Sequence, residues 1–276
     1  MKPAPTSGMN RTNGPEPVAE RSFFQSDAPK SRRPRIESLS KLCGGLLAAA
    51  AFATCASNAE ARELPPIVRT QDGWLQGTRS GGVERFLAVP YAAAPVGALR
   101  WRPPASPPRW RGIRAAETLP PHCPQLGGGG DEDCLYLNVF RPAHPQRSGR
   151  LPVLFYIHGG SLKVGSASDN DPSRIAGTTD TIVVMINYRL GQFGFLAHPA
   201  LGAEAGDGTS GEYGLMDQQA ALRWVHERIA AFGGDPENVT IAGGSSGGFR
   251  CALTWRRPPW RGSSLRPSSR APAVLR

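Results

Sequence analysis

Ser245 lies in the run Val239-Thr240-Ile241-Ala242-Gly243-Gly244-Ser245-Ser246-Gly247-Gly248, where an apolar β-prone stretch feeds directly into a Gly-x-Ser-x-Gly turn. A serine at the apex of a tight strand-to-helix turn has its hydroxyl pushed clear of the sheet. Glycines two residues to either side let the strand and helix backbones pass close together. The chemistry this pattern suits is nucleophilic attack on an acyl carbon, with Ser245 as the nucleophile. Such attack builds negative charge on the carbonyl oxygen, and two or three N–H groups are needed to receive it. His158-Gly159-Gly160-Ser161 follows the apolar run Val153 to Ile157, and a glycine-rich turn at a strand end can supply those donors. The N–H groups of Gly160, Ser161 and Ser246 are the candidates for the oxyanion hole. By itself such a turn is an ordinary tight loop; its position upstream of the serine turn is what points to chemistry. The proton acceptor is missing, because the residues after Ser245 include no Asp, no Glu and no His. A triad in the order Ser, acid, His is therefore not completed, and the catalytic acid and histidine are expected to be absent from this chain.

The same glycines admit a phosphate-binding reading, since Ala242 to Gly247 is one glycine short of Gly-x-Gly-x-x-Gly. A dinucleotide site also requires an acidic residue about 20 positions later, and none follows. His122, His144, His198 and His226 are isolated and lack metal-ligand spacing, so surface or structural roles are expected for them. No cofactor and no metal are expected. Asn238-Val239-Thr240 has the form of a glycosylation site but starts what reads as a core strand, which argues against modification there.

The elements that must position Ser245 are apolar runs bounded by turn residues: Ile67 to Arg69, Gly73 to Gln76, Val83 to Val89, Leu135 to Phe140, Val153 to Ile157, Thr181 to Asn187 and Val239 to Ala242. The later runs are continuous instead of alternating, which suits strands covered on both faces, and Val239 to Ala242 is expected to be a central strand that becomes an open apolar edge, prone to aggregation, without the strands that would follow it. Leu222, Val225, Ile229 and Phe232 recur at steps of three and four, a helix bounded by Asp217 near its start and Gly233-Gly234-Asp235-Pro236 at its end. Strand, helix, strand, turn and helix make a parallel crossover, so the class is α/β with an antiparallel N-terminal portion.

The formal charge of +10 suggests an acidic partner until it is divided by segment. Residues 1–61 hold 8 Lys and Arg against 5 acids, and residues 249–276 hold 7 Arg and no acid. That leaves 17 bases against 17 acids in residues 62–248. The body is neutral and offers no footprint for nucleic acid. Arg32, Arg33, Arg35 and Lys41 precede a weakly apolar run from Leu42 to Thr54, too short to span a bilayer, and Ala59-Glu60-Ala61 has small-x-small spacing. Residues 1–61 therefore read as a targeting region, with cleavage near Ala61, export to the periplasm or outside, and no stable membrane anchor. After Gly248 the composition changes to Arg, Pro and Trp with no acid and no sustained apolar period, and residues 249–276 read as an out-of-frame or otherwise foreign stretch, the alternative being a genuine basic tail that binds acidic surfaces. Cys123 and Cys134 flank a small loop containing Gly127 to Gly130. Either they form a disulfide, favoured in an exported protein, or they are two free buried thiols.

Many ordered blocks resemble the type-B carboxylesterase family, which includes the cholinesterases and bacterial para-nitrobenzyl esterases. They include Phe86-Leu87-Ala88-Val89-Pro90-Tyr91-Ala92, Leu99-Arg100-Trp101, Glu132-Asp133-Cys134-Leu135-Tyr136-Leu137-Asn138-Val139, Asn187 to Leu196, Tyr213 to Gln219 and Ala231 to Thr240. The resemblance implies an incomplete α/β-hydrolase fold carried by residues 62–248 and hydrolysis of small-molecule carboxylic esters through an acyl-serine. It also matches Cys123 and Cys134 to the family's first disulfide. The chain departs from the family's Gly-Glu-Ser-Ala-Gly in having Gly244 and Ser246, and Ser161 replaces the third glycine of the oxyanion turn. A side chain at 161 restricts the backbone if a positive φ is needed there. A non-catalytic binding or adhesion module on the same fold is the alternative. Oligomeric state and ester preference are not legible.

Overall fold

The computed structural model describes residues 64–206 and 208–248. A small sheet near the start comprises β1 (Ile67–Arg69), β2 (Trp74–Gln76) and β5 (Ile113–Ala115) in the order β1-β2-β5, with β1 antiparallel and β5 parallel to β2. The main sheet has the order β3-β4-β6-β8-β7-β9. Its strands are β3 (Thr78–Ser80), β4 (Val83–Pro90), β6 (Tyr136–Pro142), β7 (Leu151–Ile157), β8 (Ile182–Ile186) and β9 (Gly234–Gly243). From β3 to β8 neighbours are antiparallel, whereas β7 pairs in parallel with both β8 and β9. Each apolar run read from the sequence forms a strand, with ends differing by a few residues.

Among the described residues, the helices α1 (Ser173–Thr179), α2 (Gly191–Phe195), α3 (Pro199–Ala205) and α4 (Tyr213–Arg228) accompany the sheet. The helix read around Leu222 is α4 followed by a 3-10 turn, Ile229–Phe232, which ends at Gly233 in the left-handed conformation. Its apolar stripe, Ala221, Leu222, Trp224, Val225, Ile229 and Phe232, packs with Phe86, Leu137 and Phe155 in the larger buried cluster.

The expectation that the late strands are covered on both faces holds for β8, where all five residues are buried. It does not hold for β9, where only Gly234 is buried. Among the described residues β9 ends the sheet, so it has a hydrogen-bonded neighbour on one side only. For the same reason Asn238 is exposed, and the core-burial argument against its modification is overturned.

Candidate active site

Parallel pairing of β7 with β9 places Ile157 opposite Gly243, so the two strands end side by side. The chain leaving β7 enters the His158 turn at the same edge of the sheet where the chain leaving β9 enters the serine turn. The carboxyl ends of parallel strands are where open α/β sheets bind ligands. Ser245 is exposed and holds φ +50, and residues 246–248 begin a helix. The turn is closed by Gly247 N donating to Gly244 O at 2.8 Å and joined to β7 by Gly244 N donating to Ile157 O at 3.3 Å.

The glycines around Ser245 are dictated by space. A Cβ on Gly243 would stand 2.5 Å from the carbonyl carbon of Gly247, and one on Gly247 would stand 2.3 Å from Ile157 O. Gly159 is as constrained from the other side: a Cβ there would meet Gly244 O at 2.7 Å and Ser245 Cβ at 3.2 Å. The two turns are therefore in contact through their backbones.

Within the first turn, Gly160, Ser161 and Leu162 take φ of +101, +56 and +63. Lys163 N and Val164 N both donate to Gly160 O, at 3.0 and 3.1 Å, while Gly191 N donates to Leu162 O at 2.7 Å and Leu126 N to Lys163 O at 2.9 Å. Among the described residues, the N–H groups of Gly160 and Ser161 donate to no backbone carbonyl. Ser246 lies in the first turn of its helix, where backbone N–H groups have no intrahelical acceptor, and its buried Oγ has no hydrogen-bond partner among the described residues. The positive φ that the sequence made a concern at position 161 is thus required there.

Several residues that hold the turn were not singled out from the sequence. Tyr188 stacks on the His158 ring at 4.4 Å between centroids, and its hydroxyl donates to His158 O at 3.1 Å. His158 Nδ1 lies 2.8 Å from Gly159 O and donates to it, which leaves Nε2 as a lone pair, buried and without a partner among the described residues. Burial holds the His158 pKa below its ordinary value. The next residue, Arg189, is buried against Asp217 of α4, with Nε and Nη2 donating at 2.8 and 2.7 Å and its backbone N at 3.0 Å. Arg189 and Asp217 stand in two of the blocks quoted for the resemblance, but their charge complementarity links distant segments and has no local signature.

The sulfurs of Cys123 and Cys134 are 2.04 Å apart. The imidazole rings of His122 and His198 lie against Cys123 O and Ala200 N, and among the described residues no cluster of His, Cys, Asp and Glu could hold a metal ion. No helix among the described residues is long and apolar enough to cross a membrane.

A fumonisin B1 esterase of Sphingopyxis macrogoltabida is 44% identical over 205 residues, covering 70% of this chain and 37% of that protein. The para-nitrobenzyl esterase of Bacillus subtilis is 42% identical over 208 residues, covering 71% of this chain and 41% of that protein. The chain thus spans about two fifths of the length of these curated relatives. A solved PNB esterase superposes with a TM-score of 0.63 at 43% identity, over 67% of this chain and 40% of that one. The fold is the N-terminal part of the α/β-hydrolase sheet, as far as the serine turn. The model of the carboxylesterase family matches residues 64–263, running past Gly248, and on that match this chain belongs to the carboxylesterase family.

Proposed function

We propose that this chain carries the nucleophile and oxyanion half of a serine carboxylic ester hydrolase acting on small-molecule esters. One observation supports the reading above the others: an exposed serine at φ +50 whose Cβ lies against a turn with unbonded N–H groups. Ser245 Oγ attacks the ester carbonyl carbon, and the π electrons move to the carbonyl oxygen, where the N–H groups of Gly160, Ser161 and Ser246 receive the charge. Collapse of the tetrahedral species breaks the bond to the alcohol oxygen, which leaves with a proton, and acyl-Ser245 remains. Water then attacks the acyl carbon, releases the carboxylic acid and returns a proton to Ser245. No metal and no cofactor enters these steps.

Taking the proton from Ser245 is the task of a histidine oriented by an acid, and neither follows Ser245 in these 276 residues. Preorganised oxyanion donors retain part of the acceleration when a triad member is lost, so these residues by themselves acylate several orders of magnitude more slowly than a complete site. The test is covalent. Incubation with p-nitrophenyl butyrate or a fluorophosphonate should place one acyl or phosphonyl group on the peptide containing Ser245, and Ser245→Ala should abolish it. Equal labelling of Ser245→Ala overturns the assignment.

The same reading divides the chain into an export signal over 1–61 cleaved near Ala61, an esterase portion over 62–248 and an out-of-frame stretch over 249–276. The Cys123–Cys134 bond closes after export. A secreted form that begins far from Arg62 would sink the first part. Genomic DNA continuous in one register through residue 263, where the family match ends, would sink the last.

A further inference from the structure

Lys163 is the only lysine in residues 62–276 and lies two positions after Ser161 in the oxyanion turn. Its backbone is held on both sides by the Gly160 and Leu126 hydrogen bonds, and the turn is tied further by Gly165 N donating to Gln125 Oε1 at 2.9 Å. Its side chain is exposed and, among the described residues, has no ion-pair or hydrogen-bond partner, whereas Arg100, Arg141, Arg189 and Arg228 are each paired with a carboxylate. The side-chain amide of the exposed Gln192 has no partner among the described residues either.

Two open grooves meet at Lys163, Gly191 and Gln192. One, of about 590 Å³, is also lined by Ser161 and by Glu212. The other, of about 520 Å³, runs between residues 124–129 and Phe193. Its walls are largely apolar, with Leu126, Leu190 and Phe193, the last stacked on Trp101 at 6.4 Å. A free ammonium and a free amide at the head of a largely apolar groove form a receptor for one anion. The Glu212 carboxylate makes the neighbouring groove the worse place for it.

We propose that the ester this site takes carries a second, ionised carboxylate, bound by Lys163 and Gln192 in the groove beside Phe193. This rests on the esterase reading, because Ser161 is what connects the grooves to the acyl chemistry. At about 3.8 Å per Cα step, the Cα atoms of residues 161 and 163 are separated by no more than about 7.6 Å, so the carboxylate stands several bonds from the scissile carbonyl. The substrate class is a monoester of a di- or polycarboxylic acid, or an ester whose alcohol carries the carboxylate. An exposed charge pair of this kind is worth up to about fivefold in affinity and weakens with salt.

The test titrates monomethyl glutarate and dimethyl glutarate into the full chain at low salt, below any concentration at which it self-associates. The monoester should bind about fivefold more tightly. Lys163→Met and Gln192→Ala should reduce that preference, Lys163→Arg should keep it and Lys163→Glu should invert it. In parallel, acylation of Ser245 by mono-p-nitrophenyl glutarate relative to p-nitrophenyl butyrate should fall in Lys163→Met. The butyrate ester of glycolic acid against ethyl butyrate asks the same of a carboxylate on the alcohol side. Equal binding of the two glutarates by the unmodified chain, or a preference that survives Lys163→Met, overturns the inference. Failure of every ester to label Ser245 while the Lys163-dependent preference persists overturns the esterase reading instead and leaves the carboxylate receptor standing.

Discussion

Ser161 and Ser245 both hold a left-handed backbone, at φ +56 and +50, that a residue with a Cβ adopts at a cost of about 1 kcal/mol relative to glycine. Ala88, Trp101, Leu162 and Asp180 share that conformation, so the strain is not unique to the two serines, but at both of them it falls in a turn that the surrounding structure fixes. Ser161→Gly should therefore raise unfolding stability by about 1 kcal/mol in urea denaturation, because the N–H stays and only the strain is relieved. Ser245→Gly should stabilise by a similar amount while abolishing labelling. An unchanged urea midpoint for both variants would contradict the strain argument. Gly244 has a neighbour that suits its smallness: a Cβ there would lie 2.9 Å from the Tyr156 hydroxyl.

The serine turn and the His158 turn behave as one element, because their backbones are in contact. Gly247→Ala puts a Cβ 2.3 Å from Ile157 O and 2.5 Å from His158 O, both backbone atoms that cannot swing aside. It should cost about 3 kcal/mol or more and separate the serine turn from the oxyanion turn. Gly244→Ala meets only the tip of Tyr156 and should cost about 1 kcal/mol or less, recovered by Tyr156→Phe. Similar urea midpoints for Gly247→Ala and Gly244→Ala would show that the close approach is not what holds the turns together.

The buried histidine adds a pH dependence to this element. Desolvation lowers the His158 pKa in the folded state from the ordinary 6.5 of the unfolded chain. Above pH 6.5 both states are neutral at this residue and its contribution is fully present. As pH falls below that value the unfolded state takes up a proton that the folded state resists, and stability is lost. His158→Phe keeps an aromatic ring against Tyr188 and removes the titration, so its stability should fall less between pH 7 and about pH 5. Equal slopes in the two proteins would remove His158 from the account.

On the scale of the whole molecule, the exposed flank of β9 dominates. Ten residues of strand with only Gly234 buried end the main sheet among the described residues, leaving backbone donors and acceptors open to pairing with another chain. The chain as written should self-associate with rising concentration in sedimentation velocity, and Asn238→Lys, a charge on the exposed part of that strand, should reduce the association. A single monomeric species at every concentration, with one sharp melt, would contradict this.

What could be read along the chain was what short-range stereochemistry dictates. The Gly-x-Ser-x-Gly spacing carries its own turn, and apolar runs bounded by Gly and Pro carry their own strands. Val239 to Ala242 and Leu222 to Phe232 therefore stood out before any fold was known. The tertiary structure decided what depends on pairing between distant segments. The parallel register that sets Ile157 beside Gly243, the burial of Arg189 on Asp217, the stacking of Tyr188 on His158 and the half-exposure of β9 all follow from which strands become neighbours. Register and neighbour choice are sums over many weak contacts across the whole sheet, so no single stretch of residues contains them.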